Sequence, residues 1–318
     1  MQVFRSIDEA AGKLTGCAVA IGNFDGVHLG HRALFAAARA RAAGRPAVAL
    51  TFDPHPVRVL RPQLAPPVLT PLARKLELLA GCGLDAAVVQ SFTLDYARTS
   101  AAEFVDRDLA RGLGAAAVVV GHDFTAGNER ARVDRLGALL AARGLALELV
   151  APVAHEGLVA SSTKIREFLL EGNVEAAAQL LARPHDVDGV VERGAGLGRT
   201  IGFATANVRA ESLLPANGVY AIRALVADPG ATGLAGGQRW DGVCNVGTKP
   251  TVQAGGPILA EAHLFNHPGR DLYGAPIRLS FVARLREERR FPSLEALKTQ
   301  IAADASEARA VLRQSHAM

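Results

Sequence analysis

Through the first half of the chain, short runs of Val, Ile, Leu and Ala alternate with longer stretches whose apolar residues return every three or four positions. Continuous apolar runs predict strands buried on both faces, and the 3.6-residue rhythm between them predicts crossover helices. The strands are expected at Cys17–Ile21, Ala47–Phe52, Ala86–Gln90, Ala115–Val120 and Leu145–Val150. The helices are expected near His31–Ala43, Pro71–Ala80, Ala101–Leu109 and Val133–Arg143. This succession predicts an α/β domain with a doubly wound parallel sheet, whose ligands bind beyond the carboxyl ends of the strands.

After two further short helices, Lys164–Glu171 and Val174–Leu181, the rhythm changes at Arg183–Pro184, which sets the expected domain boundary: residues 1–183, then 184–318. Downstream, Ile277, Leu279, Phe281, Ala283 and Leu285 alternate with mostly polar or basic residues, the period of a half-buried antiparallel strand. Gly218–Val226 and Leu259–Phe265 read in the same way, with Gly- and Pro-containing turns between, so a small antiparallel β-barrel is expected. Leu294, Leu297, Ile301, Ala305, Ala308 and Leu312 then mark a C-terminal helix behind a candidate N-cap, Ser293.

Composition narrows the class. With 318 residues, 49% hydrophobic and 21% charged, the chain suits two globular domains and neither a disordered chain nor a membrane bundle. No apolar run reaches the roughly 20 residues of a spanning helix, and MQVFRSIDEA lacks the layout of a signal peptide, so a cytoplasmic protein without a membrane partner is expected. Cys17, Cys82 and Cys244 lie far apart with no CxxC spacing, which predicts buried free thiols. The net charge of +4 is shared evenly by the two halves, and Glu287 and Glu288 interrupt the densest basic stretch. Such a surface favours anionic small molecules, nucleotides included, over DNA or RNA.

The candidate chemistry begins at AIGNFDGVHLGH, between the first expected strand and the first expected helix. His28 and His31 stand three apart near a helix start whose free N–H groups favour phosphate, and Gly26 and Gly30 allow close backbone approach. A lone His pair at this spacing is usually surface decoration; its place between strand and helix favours an anion site. SSTKIR (161–166) reads as a second helix start, with hydroxyls and a guanidinium suited to an anion.

With TFDPHP (51–56), GHDF (121–124) and SSTKIR in this order, the first half resembles the adenylyltransferase domain of the bacterial bifunctional riboflavin kinase/FMN adenylyltransferases, the FAD synthetases. The second half resembles the kinase domain of the same family through GRTIGFATAN (198–207), GVYAI (218–222), NVGTKPT (245–251), EAHLF (261–265) and LYG (272–274). The resemblance implies that His28 and His31 contact ATP phosphates and that Asn23 and Asp123 position nucleotide or flavin. It implies that Ser162, Thr163 and Arg166 hold the phosphate tail, and that Gly198, Thr205 and Asn207 bind ATP in the second domain, Thr205 and Asn207 also binding Mg²⁺. It makes Glu261 the catalytic base toward the ribityl hydroxyl and places Arg286 and Phe291 against the flavin.

The implied substrates are riboflavin, FMN and ATP. Adenylyl transfer needs no protein nucleophile, because the FMN phosphate is already anionic and attacks the α-phosphorus once aligned. The pattern departs from the family at His122 and Ala126 near Asp123, and at Ala204, which replaces a proline and is expected to cost roughly 0.4–1 kcal/mol through the unfolded chain. The alternatives are a chain with one silent module, acting as a single-activity transferase or a flavin-binding regulator, and a nucleotidyltransferase for another phosphorylated substrate.

Overall fold

A computed structural model describes residues 1–193, 205–248 and 258–314. Contacts divide the chain into two compact units, Met1–Ser161 and Ser162–Met318. In the first, strands β1 (Gln2–Phe4), β2 (Ala18–Ile21), β3 (Ala47–Asp53), β4 (Ala86–Ser91), β5 (Ala117–Gly121) and β6 (Ala146–Val150) form one sheet. Its order is β1-β4-β3-β2-β5-β6 and every pairing is parallel. The chain moves outward from β2 through β3 to β4, then crosses to β5 and β6 on the other side. The crevice beyond β2 and β5 is therefore the switch point where a ligand fits.

The five expected strands are all present, each shifted by one or two residues at an end. Val19, Ile21, Val48, Leu50, Val88, Val118 and Val120 face one core. Ala18, Ala20, Ala47, Ala49, Ala87 and Ala117 face the other, where the small side chains bring helix α2 (Leu29–Ala42) close to the sheet. Helix α4 (Leu72–Gly81) packs Leu79 into this alanine-lined side; α6 (Val133–Ala141) packs Leu136 and Leu140 into the opposite one. The short β1, α1 (Ile7–Ala10), α3 (Pro56–Leu60) and the hairpin of β7 (Ala154–His155) with β8 (Leu158–Val159) have too few residues to show a rhythm. The helix expected over Ala101–Leu109 is α only in α5 (Ala101–Glu103) and continues as π-helical turns over Phe104–Gly112. Apolar spacing cannot separate the two, since Phe104, Val105, Leu109 and Leu113 turn inward in both.

The second unit opens with α7 (Ser162–Glu171) and α8 (Val174–Leu181), then β9 (His185–Glu192), β10 (Ala206–Ala210), β11 (Gly218–Val226), β12 (Gln238–Thr248), β13 (Ile258–Leu264) and β14 (Pro276–Arg286). The six strands close into an antiparallel barrel of order β10-β13-β12-β11-β14-β9. The final helix α9 (Leu294–Gln314) has the Ser293 Oγ accepting the Ala296 N–H at 3.2 Å, the expected cap. The contact division counts α7 and α8 with the barrel, on which α8 packs through β14 and β9; the change of rhythm lies after both helices.

One expectation about β14 is corrected. Ile277, Leu279 and Phe281 are fully buried on the face they share with Tyr220 and Ile222. Register shifts opposite Val219–Tyr220 and Ala221–Ile222 then turn the strand over, so Ala283 pairs with Ala221 and Leu285 joins the cluster beneath α9. A bulge adds a residue without a partner and reverses the alternation, which no count of every second residue anticipates. Of the cysteines, Cys17 and Cys244 are buried free thiols, as expected, whereas Cys82 is partly exposed. Burial pushes the Cys17 thiol up to about 11. Among the described residues no helix is long and apolar enough to cross a membrane.

Candidate functional site

In the first unit the chain leaves β2 through a tight turn before α2. Phe24 and Val27 hold φ of 50° and 44°, a left-handed conformation costing about 1–3 kcal/mol at each non-glycine residue. The surroundings impose it. The buried Asp25 carboxylate accepts the Leu69 N–H at 3.1 Å and the Thr70 N–H at 2.9 Å, while the Gly26 N–H donates to Thr70 Oγ1 at 3.0 Å. Thr51 Oγ1 and Lys75 Nζ both donate to the Asn23 carbonyl, at 3.2 and 2.8 Å.

This turn delivers His28 as the N-cap residue of α2 and His31 within its first turn. Their rings stack with centroids 3.6 Å apart, and Phe24 meets His31 edge-on at 5.3 Å. A Cβ on Gly30 would stand 3.1 Å from the His28 ring and 3.3 Å from the Ala160 carbonyl, so glycine there makes room for the ring. His31 Nδ1 is enclosed and has no hydrogen-bond partner among the described residues. Burial, then the positive charges of His28 and Lys75, hold His31 well below its ordinary 6.5. A neutral imidazole in the first turn of a helix, where the backbone N–H groups have no intrahelical acceptor, can take up an anion and a proton together.

A stability consequence follows from the sign of that shift. Below about pH 6.5 the unfolded chain protonates His31 while the folded chain does not, so stability falls by up to about 1.4 kcal/mol per pH unit until the folded group also titrates. Urea midpoints are expected to drop from pH 7 to pH 5, and His31→Gln to shrink that drop. An identical slope in both proteins contradicts this.

Asn23 lies in the turn itself, and Asp123 just past β5, the strand beside β2. Asp123 is exposed, with its carboxylate 3.1 Å from where a Cβ on Gly121 would sit. The two departures nearby separate. His122 is exposed, whereas Ala126 is buried in the core and bridges Ala131. Gly127 fits by necessity: φ is +71° and a Cβ would meet the Ala101 nitrogen at 2.2 Å. Ser162 and Thr163 open α7, with Arg166 one turn on from Ser162 and on the same side.

In the second unit the geometry comes from register. Asn207 on β10 pairs with Glu261 on β13, Glu261 with Asn245 on β12, Asn245 with Val219 on β11, and Val219 with Arg286 on β14. Directly opposed residues share a face, so one row around the barrel presents Asn207, Glu261, Asn245 and Arg286 together. They adjoin a cavity of about 280 Å³ lined by Thr205, Asn245, Glu261, Arg286 and Phe291, with Val219, Val243, Leu297 and Ile301 as apolar wall. Arg286 is forked onto the buried Asp304 of α9, with Nε to Oδ1 at 2.9 Å and Nη2 to Oδ2 at 2.8 Å. Its guanidinium lies 5.6 Å from the Phe291 ring centre, and that of Arg289 5.2 Å. A flat aromatic ligand suits a slot bounded by aliphatic side chains, a phenyl ring and a fixed guanidinium.

Asn207 Oδ1 is buried with no hydrogen-bond partner among the described residues. A buried amide oxygen without a partner, two residues along the chain from the hydroxyl of Thr205, which lines the cavity, is the donor chemistry that Mg²⁺ takes, so these residues fit the ion. Gly198 and Ala204 lie outside the described residues. Asn245, Asp304 and Lys75 escaped the sequence reading. Asn245 opens a quoted motif, whereas Asp304 and Lys75 carry no signal beyond a polar residue on a helix.

Two family models match the chain: FAD synthetase over residues 11–164 and riboflavin kinase over residues 181–312. Among curated proteins, the bifunctional riboflavin kinase/FMN adenylyltransferase of Pseudomonas fluorescens is 39% identical, the match covering 99% of both chains. Those of Escherichia coli K12 and Bacillus subtilis are 37% and 34% identical, over 92% and 91% of this chain and 92% and 90% of theirs. A crystal structure from Streptococcus pneumoniae, described as a macrolide-efflux protein, superposes with a TM-score of 0.83 at 27% identity, covering 96% of this chain and 98% of that one.

Proposed function

Because the chain belongs to the bifunctional riboflavin kinase/FMN adenylyltransferase family, we propose that it phosphorylates riboflavin to FMN and adenylylates FMN to FAD. Residues 1–183 carry the adenylyl transfer and residues 184–318 the kinase, in the cytoplasm; the FAD synthetase match ends at residue 164 and the riboflavin kinase match begins at residue 181, three residues before that division.

In the kinase step the observation that carries the reading is the pairing of Asn207 with Glu261 beside the cavity. The isoalloxazine enters the slot formed by Arg286, Phe291 and the apolar residues of α9. Glu261 accepts the proton of the ribityl 5′-hydroxyl as its oxygen attacks the γ-phosphorus, and ADP leaves. Thr205 and Asn207 hold Mg²⁺, which when bound neutralises charge on the phosphates. Asn245, between Glu261 and Val219, orients the carboxylate's surroundings. Asp304 fixes the Arg286 guanidinium.

In the adenylylation step an FMN phosphate oxygen attacks the α-phosphorus of ATP and the bond to the β-phosphate bridging oxygen breaks, releasing pyrophosphate. His28 and His31 hold the phosphates from the helix start and offset the negative charge that develops on the leaving pyrophosphate. Asn23 and Asp123, at the ends of adjacent strands, position nucleotide or flavin. Ser162, Thr163 and Arg166 are assigned to the phosphate tail on the sequence resemblance.

The test is chromatography of riboflavin, FMN and FAD after incubation with riboflavin and Mg-ATP. FAD is the expected product; FMN alone means a silent adenylyltransferase, and no turnover despite flavin binding means a regulator. Supplying FMN isolates the second step.

A further inference from the structure

Lys75 is a buried charge without a role in the steps above. It lies on α4 and is 6% exposed. Among the described residues its ammonium makes one hydrogen bond, to the Asn23 carbonyl at 2.8 Å, and no ion pair. Burial lowers its pKa, opposed by the negative charges of Asp25 and Asp53. Asp25 already accepts two backbone N–H groups. A charged three-donor group kept from water with one carbonyl acceptor is expensive unless charge elsewhere compensates.

The groups around it show what would compensate. Lys75 stands near enough to His31 to depress its protonation, and His31 stacks on His28. Three groups able to carry positive charge thus converge behind the Asn23–His28 turn, with an enclosed imidazole nitrogen among them. The turn cannot relax easily, because Phe24 and Val27 are held at positive φ by contacts from the chain around Thr51, Leu69 and Thr70.

We propose that Lys75 is a positioning residue of the adenylyltransferase: its ammonium anchors the Asn23 carbonyl so that the turn aims both histidines, and its buried charge couples the site to the nucleotide's polyphosphate. This rests on the reading that His28 and His31 hold the ATP phosphates. Burial, then the charges of His28 and Lys75, keep His31 neutral until an anion arrives. The bound phosphates then offset both Lys75 and a protonated His31. Lys75 acts through the loop and the field rather than by touching the reacting phosphorus.

The test uses the full chain with pyrophosphate as the probe. Lys75→Met is expected to lower kcat/KM for FMN adenylylation at least tenfold, mostly through a higher KM for ATP, and to weaken pyrophosphate binding. Lys75→Arg is expected to recover most of this. Thr51→Val, which removes the other donor to the Asn23 carbonyl and keeps the charge, is expected to cost less than threefold. In Lys75→Met the pH below which pyrophosphate binding stops tightening moves upward, since His31 loses a cationic neighbour and keeps only His28.

A purely structural anchor would leave that profile unmoved and make Thr51→Val and Lys75→Met alike; either result overturns the proposal. So does unchanged adenylylation in Lys75→Met while His28→Ala loses it. If His28→Ala keeps full activity, the underlying phosphate-site reading fails instead and takes the proposal with it. Should Lys75→Met not fold, NMR of isotope-labelled lysine in the unsubstituted protein decides: the Lys75 titration is expected to rise on adding pyrophosphate, and an unmoved titration overturns the coupling.

Discussion

Glu261→Gln is expected to slow riboflavin phosphorylation by about 10²–10⁴-fold, the usual contribution of a positioned general base. Glutamine keeps the shape and hydrogen-bonding reach of the side chain but cannot take the proton. The change falls in the centre of β13, where backbone pairing to Asn207 and Asn245 holds the position whatever the side chain is. The KM for riboflavin should move little, because the proposed flavin slot is walled by Phe291, Leu297 and Ile301, away from the side chain that changes. Conversion of supplied FMN to FAD should be untouched. The measurement is the initial rate of each step with its own substrate. A parallel fall in both steps would falsify separate sites, and an unaffected kinase step would remove Glu261 from the role of base.

His28→Ala is expected to do the reverse. It removes one ring of the stacked pair at the N-cap position of α2, where the His28 side chain makes no capping hydrogen bond, and so leaves the His31 ring without its stacking partner. Loss of one preorganised donor toward developing phosphate charge typically costs about 10²–10³ in rate. FMN-to-FAD conversion should fall by that factor, while riboflavin phosphorylation persists and FMN accumulates from riboflavin. The burial of His28 at 6% exposure makes a cavity inevitable, so His28→Gln, which fills more of the space, separates packing from chemistry. Equal losses in Ala and Gln point to the lost imidazole; recovery in Gln to near the unsubstituted rate would show that the ring only filled space.

The two departures from the family pattern near Asp123 differ in consequence. Ala126, in place of an aromatic residue, is packed in the core against a bridge to Ala131, so its effect is on packing around the turn. His122 is exposed next to the exposed Asp123, so its effect is on the surface at the end of β5 rather than on packing. Only the tertiary position separates them.

The elements of this chain were legible because their signals are local. Apolar runs beside turn residues show five of the parallel strands, and the period-two stretch shows β14 as a strand. Ser293 signals a helix start, since its hydroxyl bonds a backbone group three residues on. Likewise the place of His28 and His31 between a strand and the start of a helix was legible, since both elements carry local signals; the anion role proposed for the pair draws on the dipole of that helix.

What the tertiary structure decided is what depends on pairing over long stretches of chain. The row Asn207–Glu261–Asn245–Val219–Arg286 exists because five strands far apart in sequence meet in one register, and a slip of one residue would turn each side chain to the other face. The bulges of β14 defeated simple alternation by inserting unpaired residues. Burial of Lys75 was invisible because a lysine on an amphipathic helix ordinarily faces water, and only the turn carried by Asn23 gives its ammonium a reason to be inside.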